Sequence, residues 1–147
     1  MKTDGSTKPN NEEILRVAVW GTGNIGANAV RAVADRKDME LVSVHVTSDA
    51  KHGRDAGEIA GLERPLGVKA SRDIEELLSS SADCVIHAPL PAAQVSDDPD
   101  LDTKQLIRML AAGKNVITTV GYVNPKAYGQ ALADRGKDHR TLPTLDH

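Results

Sequence analysis

The feature that most constrains the fold is a glycine-rich turn inside the stretch VAVWGTGNIGANAV, residues 17–30. The apolar run at 16–20 ends at a glycine, as is typical of a buried strand. The segment from 24 to about 35 has helical spacing. Its apolar side chains predict an inward face made of Ile25, Ala29, Ala32 and Val33. The glycines between strand and helix either hold a ligand or simply make a tight turn.

Each glycine of GTGNIG has a distinct task if the turn holds a dinucleotide. Gly21 permits the sharp turn, Gly23 lets the backbone approach a pyrophosphate, and Gly26 lets the helix pack closely on the strand. The start of the helix adds unpaired N–H groups and partial positive charge for the phosphates. We therefore expect dinucleotide binding, with a purely structural turn as the alternative.

The rest of the chain alternates between predicted strands and predicted helices. The strands are expected at 41–46, 83–87 and 115–119, and the helices at 74–78, from 102 or 103 to a cap at Gly113, and from about 125 to 135. Two stretches are predicted as loops, 47–67 with at most one helical turn at 58–60, and 92–100. Such alternation requires parallel crossovers. The predicted fold class is α/β, a Rossmann-type doubly wound parallel sheet forming a single domain.

Length and composition limit the remaining possibilities. The 147 residues suit one dinucleotide-binding domain at 14–135, with a disordered segment at 1–13 and an unstructured tail at 136–147. A net charge of −3 without a Lys/Arg block argues against a nucleic-acid partner. No run approaches the roughly 20 apolar residues of a membrane helix. The single cysteine, Cys84, fits a reducing compartment, so we expect a soluble cytoplasmic protein without a membrane partner.

Two further groups of residues are interpreted structurally. The acidic run at 97–102 is expected to be a solvated loop, with no metal site, because no His or Cys ligand spacing accompanies it. His87 ends a predicted strand near the expected cofactor position. Since no carboxylate partner is identifiable, a packing or hydrogen-bonding histidine is favoured over a catalytic one.

The choice between NAD and NADP depends on the end of the second strand. A fold that prefers NAD usually places an acid there, about 20 residues after the glycine motif, to bind the ribose hydroxyls. In this chain the strand ends in HVTS at 45–48, and the nearest acid, Asp49, lies slightly late. Three basic residues lie nearby, His45, Lys51 and Arg54. They favour NADP, because positive charges would stabilise its 2′-phosphate. The alternative is that these side chains are solvated loop charges and that the cofactor is NAD.

Four segments then carry a family resemblance: GTGNIG, GRDAGEIAG at 53–61, VIHAPLP at 85–91 and GKNVITTVGY at 113–122. Together they resemble the dihydrodipicolinate reductase superfamily, and most closely its amine-dehydrogenase branch, which includes 2,4-diaminopentanoate dehydrogenase-like proteins. The resemblance covers about residues 15–129 and corresponds to the N-terminal nucleotide-binding half of such enzymes. Homoserine and diaminopimelate dehydrogenases carry related patterns, so the branch stays open.

The resemblance implies a set of cofactor contacts at the ends of the strands. The pyrophosphate loop would consist of Gly21, Gly23, Asn24, Ile25 and Gly26. The adenosine ribose would lie at His45 and Val46 with Thr47 beside them, where the reductases often have an acid and this chain has none. The ribose and nicotinamide would lie beside Ala88, Pro89 and Leu90, and a loop of Thr118, Thr119, Val120 and Gly121 would close near the nicotinamide ring.

The resemblance also implies an activity, the transfer of hydride between NAD(P)H and the C=N or CH–NH2 group of a small amino-acid-derived substrate. In this superfamily a following α+β domain binds the substrate and carries the proton-transferring residues. This chain is expected to lack that domain, so no catalytic residue is assigned and a substrate partner requires a separately supplied domain. The alternatives are a non-catalytic nucleotide-binding module or truncated product, a homoserine or diaminopimelate dehydrogenase-like enzyme, and a methyltransferase. Assembly into a homo-oligomer is left open.

Overall fold

Four parallel strands form the centre of the fold, in the order β2-β1-β3-β4. The computed structural model describes residues 13–120. The strands are β1 (Leu15–Trp20), β2 (Met39–His45), β3 (Cys84–His87) and β4 (Asn115–Thr118). All neighbouring pairs are parallel, so the predicted α/β class is confirmed. The predictions for residues 1–12, for the helix at 125–135 and for the tail at 136–147 lie outside the described residues.

Five helices connect these strands within the described range. They are α1 (Asn24–Ala34), α2 (Ala56–Ile59), α3 (Ile74–Leu78), α4 (Ala92–Val95) and α5 (Leu101–Ala111). The prediction that 92–100 is a loop throughout is wrong, because α4 occupies its first part. The helix is too short to show periodicity, and its first N–H, on Ala92, donates to Asp102 Oδ2 at 3.0 Å, a contact that spacing does not reveal.

The helices cover both faces of the sheet. In the strand order, β2 lies on one side of β1, whereas β3 and β4 lie on the other, so right-handed crossovers place α1 on one face and α3 and α5 on the opposite face. The short helix α2 packs on the same face as α1. On one face α1 packs through Val30 with Val19 and Val44. On the other, Leu77 of α3 and Leu106 of α5 pack in a second core cluster with β1 and β3. The sheet is thus covered on both faces, as expected of a doubly wound fold.

The inward face of α1 differs from the prediction. Its buried residues are Gly26, Val30 and Val33, whereas Ile25 is 57% exposed and Ala32 is also exposed. Gly26 faces inward because it lies against the backbone of Gly21 at the start of the turn. The prediction was therefore wrong for Ile25 and Ala32, whereas Val33 is buried and Ala29 packs against the core as predicted.

The GKNV segment has a structural task at the end of α5. Gly113 has φ +83°, and the N–H groups of Gly113 and Lys114 donate to the carbonyls of Leu110 and Met109, which ends the helix in a left-handed cap as predicted. The Lys114 side chain is only 6% exposed, and its ammonium donates to the carbonyls of Ser80 and Ala82. Burial lowers the pKa of Lys114. This lysine therefore links the loop before β4 to the loop before β3.

The GRDAGEIAG segment folds around one carboxylate. Asp55 Oδ2 accepts hydrogen bonds from the N–H groups of Gly57 at 2.7 Å and Leu66 at 2.8 Å, and Oδ1 accepts from Gly67 at 2.8 Å. Burial alone would raise the pKa of Asp55, but these backbone donors outweigh it and hold the pKa below its usual value. Asp55 thus caps α2 and closes the loop that follows.

Removing that carboxylate is expected to be costly. Asp55→Ala should lower the free energy of unfolding by about 2–4 kcal/mol, because it removes a helix cap and leaves further backbone donors without an acceptor. Chemical denaturation followed by circular dichroism measures the change. The matched variant Asp49→Ala removes a surface carboxylate that is 88% exposed and should cost far less. Equal losses in the two variants would contradict the account of Asp55.

Candidate functional site

The four strands end at one edge, and that edge gathers the predicted site segments. Trp20 pairs with both His45 and His87, and His87 pairs with Thr118, so the ends of all four strands are in register. The glycine turn, the residues after β2, the 88–90 loop and the 118–120 loop therefore meet along one line. Ligands of open α/β sheets bind at this edge, outside the carboxyl ends of the strands.

The three glycines of GTGNIG have different surroundings. Gly21 has φ +99°, and a Cβ built there would lie 2.4 Å from the carbonyl oxygen of Ala88. A Cβ on Gly26 would lie 1.8 Å from the carbonyl oxygen of Gly21. A Cβ on Gly23 would meet nothing within 4 Å. Gly21 and Gly26 are thus needed for close packing. Gly23 leaves open space beside an exposed backbone, which is expected of a position that a ligand approaches.

The N-terminus of α1 faces that open space. Gly23 is the N-cap residue, and its carbonyl accepts from Ala27 N–H at 2.8 Å. No side chain of the described residues caps this helix. The first N–H groups and the positive end of the 11-residue helix dipole are consequently available to an anion. The turn therefore fits the pyrophosphate of a dinucleotide.

The end of β2 does not present the basic side chain that was expected. His45 is 7% exposed and packs edge-on against Trp20, with 4.8 Å between ring centroids. Burial lowers the pKa of His45, against smaller raising effects from the Ser71 backbone and Asp73. The side chain of Val46 is also in the core, at 2% exposure, and only Thr47 is exposed. His45 and Val46 can therefore meet a ligand through their backbone alone.

One contact at the glycine turn was not anticipated. Lys51 Nζ donates to the Thr22 carbonyl at 3.3 Å and to Thr22 Oγ1 at 3.0 Å. Of the predicted basic cluster, Arg54 instead forms an ion pair with Glu58 at 3.1 Å. Lys51 and Thr22 are 29 residues apart in the sequence, so residue spacing could not reveal that the ammonium group lies at the motif.

His87 is a buried hydrogen-bonding residue, as its sequence context favoured. It is 0% exposed, with Nε2 2.8 Å from Gln105 Oε1 and Nδ1 2.9 Å from Thr118 Oγ1. The amide oxygen of Gln105 can only accept, so Nε2–H donates to it and Nδ1 accepts from the Thr118 hydroxyl. That hydroxyl oxygen also accepts from Val120 N–H at 3.3 Å. The histidine therefore positions the loop after β4.

Burial of these histidines makes stability depend on pH. Burial lowers the pKa of His87 below 6.5, although Gln105 and Asp102 partly oppose it, and the pKa of His45 is lowered too. The unfolded chain then takes up protons first, so the free energy of unfolding should fall as pH drops below about 6.5. Denaturation at a series of pH values measures this slope. The slope should be shallower in His87→Gln, and an unchanged slope would contradict the assignment.

The acidic run and Cys84 were the other candidate groups in the sequence. In the acidic run, Asp98 pairs with Lys104 at 2.7 Å and Asp102 accepts from Ala92. Among residues 13–120 no three His, Cys, Asp or Glu side chains come together in a way that could hold a metal ion. Cys84 is buried, and burial raises the pKa of its thiol, which disfavours the nucleophilic thiolate. Over the same range no helix combines the length and apolarity that a bilayer span requires.

The remaining predicted contacts lie in the turn and in the loops after β3 and β4. Ala88 and Pro89 are half-buried against Gly21, and Leu90 is 63% exposed. Four of the predicted contacts at the turn and after β4 are exposed, namely Gly23, Asn24, Ile25 and Thr119. Thr119 N–H donates to the His87 carbonyl at 3.0 Å, which fixes the start of its loop. The predicted contact at Gly121 lies outside the described residues.

The fold and this edge define a parallel α/β domain with a glycine-rich turn at the carboxyl end of its first strand. Residues 15–97 match the family described as dihydrodipicolinate reductase, N-terminus. This match spans more than half of the chain, and the chain belongs to that family. The resemblance inferred from the four sequence segments is thereby confirmed.

Individual relatives agree with this assignment. An amine dehydrogenase from Streptomyces virginiae is 38% identical over 109 residues, which are 74% of this chain and 29% of that protein. A 4-hydroxy-tetrahydrodipicolinate reductase from Nostoc sp. is 38% identical over 69 residues, 46% of this chain and 25% of that protein. The chain thus spans about a quarter to a third of the length of these relatives.

Solved structures share the fold. An amine dehydrogenase from Mycobacterium smegmatis has a TM-score of 0.68 at 24% identity, over 85% of this chain and 37% of that one. A biliverdin reductase from Synechocystis sp., solved with biliverdin and NADP+, has a TM-score of 0.65 at 20% identity, over 87% of this chain and 36% of that one. Both show that this chain has a Rossmann-type fold.

Proposed function

We propose that this chain binds a nicotinamide dinucleotide, with the pyrophosphate on the GTGNIG turn. The observation that carries the proposal is the contrast between two glycines. At Gly26 the position of a Cβ is occupied by neighbouring backbone, whereas Gly23 borders open space at the start of α1, where no side chain caps the helix. A turn that served packing alone would not need a glycine beside open space, as at Gly23.

The oxidoreductase would act on the C=N or CH–NH2 group of a small amino-acid-derived substrate. The similarity to an amine dehydrogenase over 74% of this chain favours this branch over the homoserine or diaminopimelate dehydrogenase-like alternatives. The bound cofactor supplies or accepts the hydride. The residues of this chain bind and orient it, through the glycine turn at the phosphates and the 88–90 and 118–120 loops at the other end of the edge.

NADP is the preferred dinucleotide in this proposal. The nearest acid to the end of β2, Asp49, forms an ion pair with Arg72 on the surface. It is therefore engaged, rather than free to bind the ribose hydroxyls as the acid of an NAD-preferring fold does.

A nucleotide-binding module without turnover is the second candidate. It is favoured by the state of His87, the histidine at the edge, because both ring nitrogens are used by Gln105 and Thr118. A buried, fully hydrogen-bonded imidazole is poorly placed to exchange protons with a substrate.

Fluorescence titration tests the proposal. Trp20 is the sole tryptophan of the chain and directly precedes Gly21, so its emission should report a dinucleotide at the turn. Titration with NADPH and with NADH should give saturable quenching and energy transfer to the nicotinamide, with dissociation constants of about 1 μM to 1 mM. No response to either in a folded sample would contradict the proposal. Saturable binding without turnover of amines or imines would favour the module.

A further inference from the structure

We infer that Gln105 is a positioning residue for the nicotinamide half of the dinucleotide. It acts from beneath the binding edge, by fixing the tautomer of His87 and, through that ring, the Thr118 hydroxyl and the loop at 118–120. The inference rests on the proposed binding of a dinucleotide at the glycine turn. It is carried by the continuous hydrogen-bonded path from α5 through β3 to the end of β4.

The strand order determines which half of a dinucleotide lies near this path. β2 lies on one side of β1, and β3 and β4 lie on the other. In this class of fold the pyrophosphate lies at the turn after β1 and the adenosine ribose lies at the end of β2. The two nucleotides extend in opposite directions from the pyrophosphate. The nicotinamide half would therefore extend across the ends of β3 and β4, where the loop at 118–120 begins.

The end of β4 has little support from the sheet. Within residues 13–120, β4 pairs with β3 alone and is four residues long. At its end the Thr119 N–H donates to the His87 carbonyl at 3.0 Å, and the Thr118 hydroxyl oxygen accepts from Val120 N–H at 3.3 Å. The first residues of the loop therefore depend on how the Thr118 hydroxyl is held.

His87 joins that hydroxyl to the helix layer. Its ring is fully buried and lies edge-on to Trp20, with 5.2 Å between ring centroids, so close packing holds the plane of the imidazole. Burial lowers the pKa of His87, and the ring is therefore neutral near neutral pH, with a single N–H. The groups around the ring decide which of its two nitrogens holds that hydrogen.

Gln105 decides the tautomer because its contacting atom can only accept. The amide oxygen lies 2.8 Å from His87 Nε2, so Nε2 holds the hydrogen and Nδ1 is left as an acceptor. The Thr118 hydroxyl, 2.9 Å from Nδ1, must then direct its own hydrogen inward. Its lone pairs are left for Val120 N–H and for the binding edge. In the other tautomer, Nδ1–H would donate to this oxygen, and the hydroxyl hydrogen would turn towards the loop and oppose the contact with Val120.

Binding of two ligands to Gln105→Met tests the inference, because methionine has a similar length but no acceptor for Nε2–H. The ligands are NADPH and 2′-phospho-ADP-ribose, which is NADPH without its nicotinamide ring. In isothermal titration calorimetry on the full chain, the affinity for NADPH should fall about threefold to tenfold, whereas the affinity for the fragment should change less than about twofold.

Two further variants serve as controls in the same titrations. Gln105→Glu restores an acceptor and should recover the NADPH affinity at about pH 8, where the imidazole is neutral. Ala111→Met places the same methionine at an exposed position of the same helix and should change neither affinity.

The tautomer of His87 gives a second measurement, which a purely structural role for Gln105 would not move. Two-bond 1H–15N spectra of the imidazole rings should show His87 protonated at Nε2 in the unaltered chain, its signals being identified by their loss in His87→Gln. The Nδ1–H form should gain population in Gln105→Met. The Nε2–H form should persist in Gln105→Glu.

Three results would overturn the inference. An Nδ1–H tautomer in the unaltered chain would show that Gln105 does not set the ring. Equal losses for NADPH and the fragment would show that the substitution disturbs the whole edge, and an unchanged NADPH affinity would show that the nicotinamide half does not depend on Gln105. If the unaltered chain bound neither ligand, the proposed function would fail first, and the inference with it. Thermal unfolding followed by circular dichroism checks the fold of each variant, and if Gln105→Met does not fold, Gln105→Glu and the tautomer of the unaltered chain decide.

Discussion

Replacing Gly26 with alanine is expected to lower the free energy of unfolding by about 3 kcal/mol or more. The new Cβ would lie 1.8 Å from the Gly21 carbonyl oxygen, well inside any permitted contact. Both partners are backbone, so no flexible side chain can move aside, and α1 must shift away from β1. Overpacking usually costs about 1–3 kcal/mol, and a clash with fixed backbone belongs at or above the top of that range.

Chemical denaturation followed by circular dichroism measures this loss. The matched control is Gly23→Ala, the same substitution three residues earlier in the same turn, where a Cβ meets nothing within 4 Å. We expect that control to cost no more than about 1 kcal/mol, since alanine is only a poorer N-cap than glycine. A Gly26→Ala protein as stable as the unaltered chain would contradict the close packing of α1 on β1.

Gly23→Ala is expected to have its large effect on binding instead. Affinity for the dinucleotide should fall about tenfold to hundredfold, because the added methyl group occupies space that the pyrophosphate needs beside the start of α1. Gly23 has φ −71°, a conformation open to alanine, so the backbone need not change. Titration with NADPH measures the loss.

A control on the same helix separates local from general effects. Ala32→Ser changes an exposed residue more than two turns from Gly23 and should leave the affinity unchanged. Unchanged affinity in Gly23→Ala would contradict the proposed position of the pyrophosphate, even if the unaltered chain binds the dinucleotide. The two glycine variants together therefore distinguish a turn that packs from a turn that also binds.

Local sequence signals predicted the frame of this fold. The positions of the four strands, which agree with the prediction to within two residues, the close contacts of Gly21 and Gly26 and the cap at Gly113 depend on neighbouring residues. Ile25 and Ala32 were wrongly predicted to face inward, because the contact of Gly26 with the preceding turn, in addition to the apolar pattern, sets which side of α1 faces the sheet. Helix α4 was missed since its stabilising contact comes from Asp102, ten residues away.

The chemistry of the site was harder to predict than its place. His45 follows a strand and carries a basic side chain, yet packing on Trp20 places it inside. Lys51 reaches the glycine turn only because the loop after β2 folds back. The link from Gln105 through His87 to Thr118 joins a helix and two strands. Such contacts depend on the tertiary fold and leave no local pattern.

Chemical-shift mapping by NMR tests the central claim most directly. In a titration of the 15N-labelled chain with NADPH, the largest saturable shifts of backbone amides should fall on residues 22–26, with further shifts at 88–90 and 118–120. The same pattern at the turn should appear with NADH at higher concentration. Absence of saturable shifts, or saturable shifts elsewhere while residues 22–26 stay unchanged, would contradict the assignment of GTGNIG as the phosphate-binding turn.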